Sequence, residues 1–99
     1  MFILNTWYVA CSLDELQSHQ PLGRTICGKR MVFFRGAQDR VACVEDFCPH
    51  RGAPLSLGRV CKGELVCGYH GLVMGCDGKT VSMPGQRVHA FPAVKAYPV

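Results

Sequence analysis

The sequence predicts an all-β fold, an antiparallel β-sandwich with one short helix. Aromatic and β-branched runs at residues 31–35 and 41–45 flank a glycine-containing turn, which predicts a hairpin. Asp77-Gly78 is a second, two-residue hairpin signal. Eleven Gly and six Pro among 99 residues supply the turns that many short strands need. A chain of this length forms one domain and buries roughly 60–70% of the surface that its unfolded form exposes.

The predicted elements follow one another along the chain, and only one of them is a helix. Residues 6–11 are aromatic and β-branched, which predicts a first strand. Ser12 and Glu15 match the S-x-x-E capping box, so a short helix is predicted over residues 13–18, before Pro21. The remaining predicted strands are residues 23–27, 31–35, 41–45, 64–67, 72–76, 80–83 and 94–97.

Two loops between these strands carry a matched set of thiols and imidazoles. The first reads C-P-H over residues 48–50, and the second reads C-G-Y-H over residues 67–70. Side chains two apart in an extended segment point the same way, so Cys48 and His50 can reach one object together. The spacing of Cys67 and His70 suits a tight turn. We therefore predict that these four side chains are ligands of one metal centre.

Two kinds of centre fit two Cys and two His ligands. One is a structural zinc site, and the other is a [2Fe–2S] cluster with two Cys on one iron and two His on the other. Zinc sites usually begin with two to four residues between their first two ligands, so the C-x-H spacing favours the cluster. An unrelated set of core Cys and surface His is the third and least favoured interpretation.

Cysteine usage and charge exclude several classes of protein. Seven Cys is an odd number and no signal peptide is visible, which argues against a disulfide scaffold and favours the reducing cytoplasm. The net charge of +4 is dispersed along the chain, so no nucleic-acid partner is expected. No apolar run approaches the roughly 20 residues that span a bilayer, so no membrane association is expected either.

Residues around the ligand motifs closely resemble the Rieske family. The signature C-x-H-x16-C-x2-H is followed at its two ends by Arg51-Gly52 and by Gly71. Ala53 and Tyr69 stand where the respiratory-complex type has its two disulfide cysteines, so the chain resembles the oxygenase and ferredoxin type. Residues 5–11, 44–56 and 67–78 look like the N-terminal domain of Rieske aromatic-ring oxygenases.

Residues of the second motif narrow the resemblance to one branch of that family. Many members have Pro and Trp where this chain has Gly68 and Leu72. The Gly and Leu version, followed by M-P-G-Q-R at residues 83–87, resembles the vanillate O-demethylase oxygenases. The similarity covers nearly all of the chain.

The resemblance implies a Rieske-type sandwich with a small cluster-binding subdomain. It assigns Cys48 and Cys67 to the inner iron, and His50 and His70 to the outer iron. It also implies supporting residues around the cluster, through backbone N–H donors, a hydroxyl and a cation: Arg51, Gly52, Tyr69 and Gly71.

The function that the resemblance implies is electron relay within an oxygenase. An NAD(P)H-dependent reductase would supply electrons, and mononuclear Fe(II) in a catalytic domain of the same or a neighbouring subunit of a homotrimer would receive them. The overall reaction would convert vanillate to protocatechuate and formaldehyde. Outside the four ligands only His19 and His89 remain, so the mononuclear iron site is not expected here. We expect residues 1–99 to be the Rieske domain of such an oxygenase, without its catalytic domain; the alternative is a stand-alone Rieske ferredoxin.

Overall fold

Two antiparallel sheets that share a core form the framework of the protein. The structure is a computed structural model and describes residues 6–49, 52–68, 71–83, 85 and 92–99. In this part of the chain, each sheet has four strands and every pairing is antiparallel. The predicted all-β sandwich is therefore confirmed. Within the same residues, no helix combines the length and apolar character needed to cross a membrane.

The larger sheet is built from two consecutive hairpins and one late strand. Its order is β1 (Leu22–Ile26), β2 (Lys29–Arg35), β3 (Val41–Glu45) and β8 (Ala96–Tyr97). The β1–β2 turn places Cys27 and Gly28 at φ 54° and 75°, as a type I′ turn requires. The predicted hairpin of residues 31–35 and 41–45 is confirmed, since Met31 pairs with Glu45 and Arg35 pairs with Val41.

The smaller sheet supports the second Cys-His motif. Its strands, in order, are β4 (Arg59–Cys61), β5 (Glu64–Val66), β6 (Val73–Met74) and β7 (Thr80–Ser82). The predicted turn at Asp77-Gly78 connects β6 and β7, and Gly78 adopts φ +81° there. β4 was missed by the sequence analysis. Its turn to β5 is Lys62-Gly63 with φ 52° and 76°, and Lys at a positive φ is a weak sequence signal.

The inner core lies between the two sheets. Alternate residues of β2, Val32 and Phe34, point inward and are fully buried. They belong to one buried cluster with Leu65 and Met74 of the smaller sheet. Leu55 also lies in this cluster, on a one-turn 3₁₀ helix (Leu55–Leu57) that leads into β4.

The outer face of the larger sheet is also apolar and is covered by the N-terminal segment. Phe33 and Cys43 point to this face, and both are buried against Leu16. Arg35 donates from Nε to the Leu16 carbonyl over 2.7 Å and from Nη2 to the Leu13 carbonyl over 2.9 Å. Arg24 donates from Nε to the Ala10 carbonyl over 3.3 Å. Arginine side chains therefore hold the segment in place of a strand ladder.

Two predictions about this N-terminal segment need correction. The strand predicted at residues 6–11 is wrong, because these residues do not form a strand and the Arg24 side chain bonds the Ala10 carbonyl. The helix predicted over residues 13–18 is a single 3₁₀ turn, Leu13–Glu15, because Leu16 leaves helical geometry to fill the outer core. Two further 3₁₀ turns, Ala37–Asp39 and Leu55–Leu57, were not predicted as helices.

The capping box at the start of the 3₁₀ turn is confirmed. The Ser12 N–H donates to Glu15 Oε1 over 3.0 Å, as the capping box requires, and the Glu15 N–H closes the turn by donating to the Ser12 carbonyl over 3.1 Å. The Ser12 N–H holds the pKa of Glu15 below its usual value, and the Arg24 guanidinium lowers that pKa further.

We expect the core to depend strongly on Leu55 and hardly at all on Leu57. Leu55 is fully buried, whereas Leu57, two residues away in the same turn, is 78% exposed. Leu55→Ala should lower the free energy of unfolding by about 2–5 kcal/mol, because it leaves a cavity in the inner core. Leu57→Ala should change it by less than about 0.5 kcal/mol. Denaturant unfolding of both variants measures this, and equal losses would contradict the assignment of the core.

Burial of Cys43 predicts a loss of stability at alkaline pH. Desolvation raises the pKa of this thiol from 9.0 to about 12, with a smaller contribution from Cys11. Because the unfolded thiol ionises first, its contribution is complete below pH 9 and is lost as the pH rises toward 12. Between pH 9 and pH 11 the free energy of unfolding of the wild type should fall by about 2 kcal/mol more than that of Cys43→Ala. Free energies of unfolding that fall by the same amount in the two proteins across that pH range would refute this assignment.

Candidate metal centre

The first predicted motif lies in a loop closed by two backbone hydrogen bonds. This first cysteine loop, residues 48–53, follows β3. The Cys48 N–H donates to the Ala53 carbonyl over 2.8 Å, and the Gly52 N–H donates to the Cys48 carbonyl over 2.7 Å. Gly52 adopts φ +78°, a conformation that favours glycine.

The second predicted motif lies in a loop with the same two hydrogen bonds. This second cysteine loop, residues 67–72, connects β5 to β6. The Cys67 N–H donates to the Leu72 carbonyl over 2.8 Å, and the Gly71 N–H donates to the Cys67 carbonyl over 3.1 Å. Gly71 also adopts φ +78°. Each loop therefore begins with a cysteine and turns back through a left-handed glycine four residues later.

This shared plan was only partly visible in the sequence. The glycines after the motifs were predicted to support the cluster, but not to occupy equivalent positions in two similar loops. The signal that was missed is the common C-x-x-x-G spacing of residues 48–52 and 67–71. In the described residues, that spacing corresponds to the same two hydrogen bonds and the same glycine φ in both loops.

Both loop cysteines point into the protein. Cys48 and Cys67 are each 2% exposed and belong to the same inner core cluster, with Leu55 and Leu72. All seven cysteines lie in the part of the chain that the structure describes, and none of them takes part in a disulfide bond. Two buried thiols at equivalent positions of two adjoining loops match the pair of thiolates that one iron of a histidine-ligated [2Fe–2S] cluster requires. These residues therefore fit the predicted group.

Close backbone contacts bring the two loops together. A Cβ atom on Gly68 would lie 3.0 Å from the Leu57 carbonyl oxygen and 3.4 Å from the Gly58 Cα. A Cβ atom on Gly58 would overlap the Val66 carbonyl. The segment that leaves the first loop therefore lies directly against the segment that enters the second, and glycine at both positions permits this approach.

The structure places half of the predicted site. Cys48, Gly52, Cys67 and Gly71 lie in the described part of the chain and in the two loops. The other predicted ligands and supporting residues lie outside it: His50, Arg51, Tyr69 and His70. Among the residues that the structure describes, no group of three or more His, Cys, Asp or Glu could hold a metal ion. Coordination by the four predicted ligands therefore stays a prediction.

The fold and the paired loops together define a class, the small β-sandwich proteins with two adjoining cysteine loops. Within that class the family is established by direct comparison. The family model described as Rieske [2Fe-2S] domain matches residues 6–98, and the chain belongs to this family.

The relatives narrow the comparison to oxygenases. The chain is 65% identical over 99 residues to the vanillate O-demethylase oxygenase subunit of Pseudomonas sp. (strain HR199 / DSM 7063), covering all of this chain and 28% of that protein. It is 43% identical over 102 residues to the oxygenase component of dicamba O-demethylase from Stenotrophomonas maltophilia, covering 95% of this chain and 30% of that one. The chain thus spans less than a third of the length of these relatives.

A solved structure has the same fold. The crystal structure of dicamba monooxygenase superposes with a TM-score of 0.86 at 43% sequence identity. The match covers 98% of this chain and 31% of that chain. The order of strands and loops described above is therefore that of the Rieske domain in this oxygenase.

We expect the left-handed glycine of the first loop to be needed for metal retention. Gly52→Ala should cost about 1–2 kcal/mol for its positive φ and should also press a Cβ against the Phe47 ring, 3.1 Å away. Gly28→Ala is the matched control, because Gly28 has φ +75° but lies in the β1–β2 turn. Both variants should be destabilised, and only Gly52→Ala should lose iron and sulfide during purification. Equal iron loss in the two variants would show that retention follows overall stability.

Proposed function

We propose that this chain is the electron-relay domain of an oxygenase that demethylates methoxy-substituted aromatic acids. The observation that carries this proposal is the 65% identity, over the whole chain, to a vanillate O-demethylase oxygenase subunit. The substrate proposed for the complete protein is vanillate, and the products are protocatechuate and formaldehyde. Residues 1–99 act as the Rieske domain, and the demethylation takes place at a mononuclear Fe(II) site in a separate catalytic domain.

The proposed ligands divide into two chemical pairs. Cys48 and Cys67 serve as thiolates, and His50 and His70 serve as neutral imidazoles. The [2Fe–2S] cluster, when bound, supplies one-electron transfer. Two neutral ligands in place of two anions make the group easier to reduce than an all-cysteine one. Burial of both cysteines beside Leu55 and Leu72 supports this assignment, because it keeps water away from the thiolate side.

Backbone geometry prepares the loops for this role. In each loop the cysteine N–H and the glycine N–H are already bonded to carbonyls within the loop. The loops therefore hold their shape through hydrogen bonds of their own, which fixes where each thiol stands. The remaining N–H groups, with Arg51 and Tyr69, are the proposed donors around the sulfur atoms.

The proposed partners follow from the names of the relatives. Two relatives are named as oxygenase components and two as iron–sulfur subunits of monooxygenase systems, so they work with further components. We assign this domain an NAD(P)H-dependent reductase as its electron donor. The acceptor is the catalytic domain of the same or a neighbouring subunit in a homotrimer.

The test begins with the metal content and spectra of aerobically purified protein. The sample should be red-brown, with about two iron and two sulfide ions per chain. After reduction by dithionite it should show an EPR signal with the average g value of a histidine-ligated [2Fe–2S] centre. Cys48→Ser should lose the colour, and the control Cys61→Ser, at an exposed position, should keep it. A colourless protein with stoichiometric zinc would contradict the proposal.

A second step tests the relay itself. The oxidised protein is mixed with NADH and a catalytic amount of the reductase of a vanillate demethylase system. Bleaching of the visible absorption at a rate that depends on the reductase supports the electron-relay role. A protein that contains the cluster but is not bleached under these conditions would contradict that role.

A further inference from the structure

A buried carboxylate stands at the base of the first cysteine loop. Asp46 follows β3 directly, lies two residues before Cys48 and is only 7% exposed. Its Oδ1 accepts the Ser56 N–H over 2.7 Å, and its Oδ2 accepts the Ser56 hydroxyl over 2.6 Å. A buried carboxylate is unfavourable unless its oxygens are bonded, and both oxygens here are bonded by one residue. Arg24 and Arg30 line the cleft beside it.

These two hydrogen bonds join the chain on either side of the first cysteine loop. Ser56 lies in the 3₁₀ turn Leu55–Leu57, ten residues after Asp46. The closed segment therefore contains the whole loop, including Cys48 and the predicted ligand His50. Neither hydrogen bond touches the loop itself, so the Asp46–Ser56 pair can fix the two ends of the loop without occupying the site.

The pair is in turn anchored to the larger sheet. The Asp46 N–H donates to the Arg30 carbonyl over 3.1 Å, which ties the base of the loop to β2. Gly23 of β1 lies directly beneath the pair, since a Cβ atom there would stand 2.9 Å from Ser56 Cβ and 3.4 Å from Asp46 Oδ2. Three strands of this sheet therefore set the position of the pair: β1 through Gly23, β2 through Arg30, and β3, which Asp46 directly follows.

The same turn reaches the second cysteine loop. Leu57 and Gly58 directly follow Ser56, and they lie against Gly68, the residue after Cys67. A displacement of Ser56 would therefore move the contact between the two loops as well as the closure of the first. The pair stands where the sheet, the first loop and the second loop meet.

We infer that Asp46 is a positioning residue, which acts through Ser56 to hold the first cysteine loop in register with the second. This inference rests on the proposed function for its metal, because the two loops must present their ligands to one cluster. Its structural part, that Asp46 orders both loops, does not depend on which metal is bound.

The shape of the pair suggests a sharp set of variants. In Asp46→Asn the side-chain oxygen can still accept the Ser56 N–H, and its NH₂ group can donate to the Ser56 hydroxyl, so both contacts survive. Ser56→Ala keeps only the backbone contact, and Asp46→Ala removes both. Asp14→Ala, at an exposed position in the N-terminal 3₁₀ turn, is the control for removing a carboxylate. The rigidity of the loops and the retention of metal should both decrease along the series wild type, Asp46→Asn, Ser56→Ala and Asp46→Ala.

The first measurement is iron release to a chelator, followed by EPR of the reduced protein. Asp46→Ala should release iron at least about tenfold faster than the wild type. The release rate of Asp46→Asn should stay within about threefold of the wild-type rate. The g values should be unchanged in Asp46→Asn and Asp14→Ala, and shifted or broadened in Ser56→Ala. If Asp46→Ala fails to fold, the comparison of Ser56→Ala with Asp46→Asn carries the test. Wild-type release rates and g values in Ser56→Ala and Asp46→Ala would overturn the inference, and so would an Asp46→Asn variant as defective as Asp46→Ala.

The second measurement separates this inference from the proposed function. Amide hydrogen exchange is followed in protein stripped of metal, where only the chain itself is tested. Ser56→Ala should speed exchange in residues 48–53 and 67–72, and leave the β1–β2 hairpin unchanged. That result supports the positioning role even if the wild type is found to bind zinc. Unchanged exchange in both loops would overturn it even if the wild type contains the [2Fe–2S] cluster.

Discussion

The site depends on one backbone constraint, which is that each loop cysteine donates its N–H to the carbonyl five residues further on. This hydrogen bond closes both loops, and it forces the chain to reverse within four residues. The reversal requires a left-handed residue, and Gly52 and Gly71 supply it at the same φ. Once the loops are closed, Cys48 and Cys67 face the inner core rather than solvent. The chemistry of the site therefore begins with the geometry of the main chain.

The sheets matter because they place these two loops side by side. β3 ends at Glu45, and the first loop begins three residues later, while β5 ends at Val66 and the second loop begins immediately. The larger sheet is covered on both faces, by the smaller sheet on one side and by the N-terminal segment on the other. Arg24 and Arg35 hold that segment through its carbonyls. β3, the strand that leads into the first loop, is therefore packed on both of its faces.

The hairpins and the spacing of the proposed ligands could be predicted from the sequence because both are local patterns. The β2–β3 hairpin and the turn at Asp77-Gly78 follow from residues close together in the chain. The strand predicted at residues 6–11 failed because these residues are mostly exposed and are held through a hydrogen bond from Arg24 to the Ala10 carbonyl, a tertiary contact that sequence alone does not show. The Asp46–Ser56 contact was also missed, because neither residue type signals a partner ten positions away. The loops could be predicted, but their supports depend on tertiary contacts.

The two loops are alike in their cysteines and glycines but differ in where their histidines stand. Both span C-x-x-x-G, yet the histidine is the second residue after Cys48 and the third after Cys67. The spacing that the two loops share therefore includes the cysteines but not the histidines. A cluster with chemically distinct irons needs equivalent cysteines on one iron, but it does not require the histidines to approach the other iron along equivalent paths. One repeated pair of loop hydrogen bonds is thus compatible with an asymmetric set of predicted ligands, because the repeated part carries the cysteines and the variable part carries the histidines.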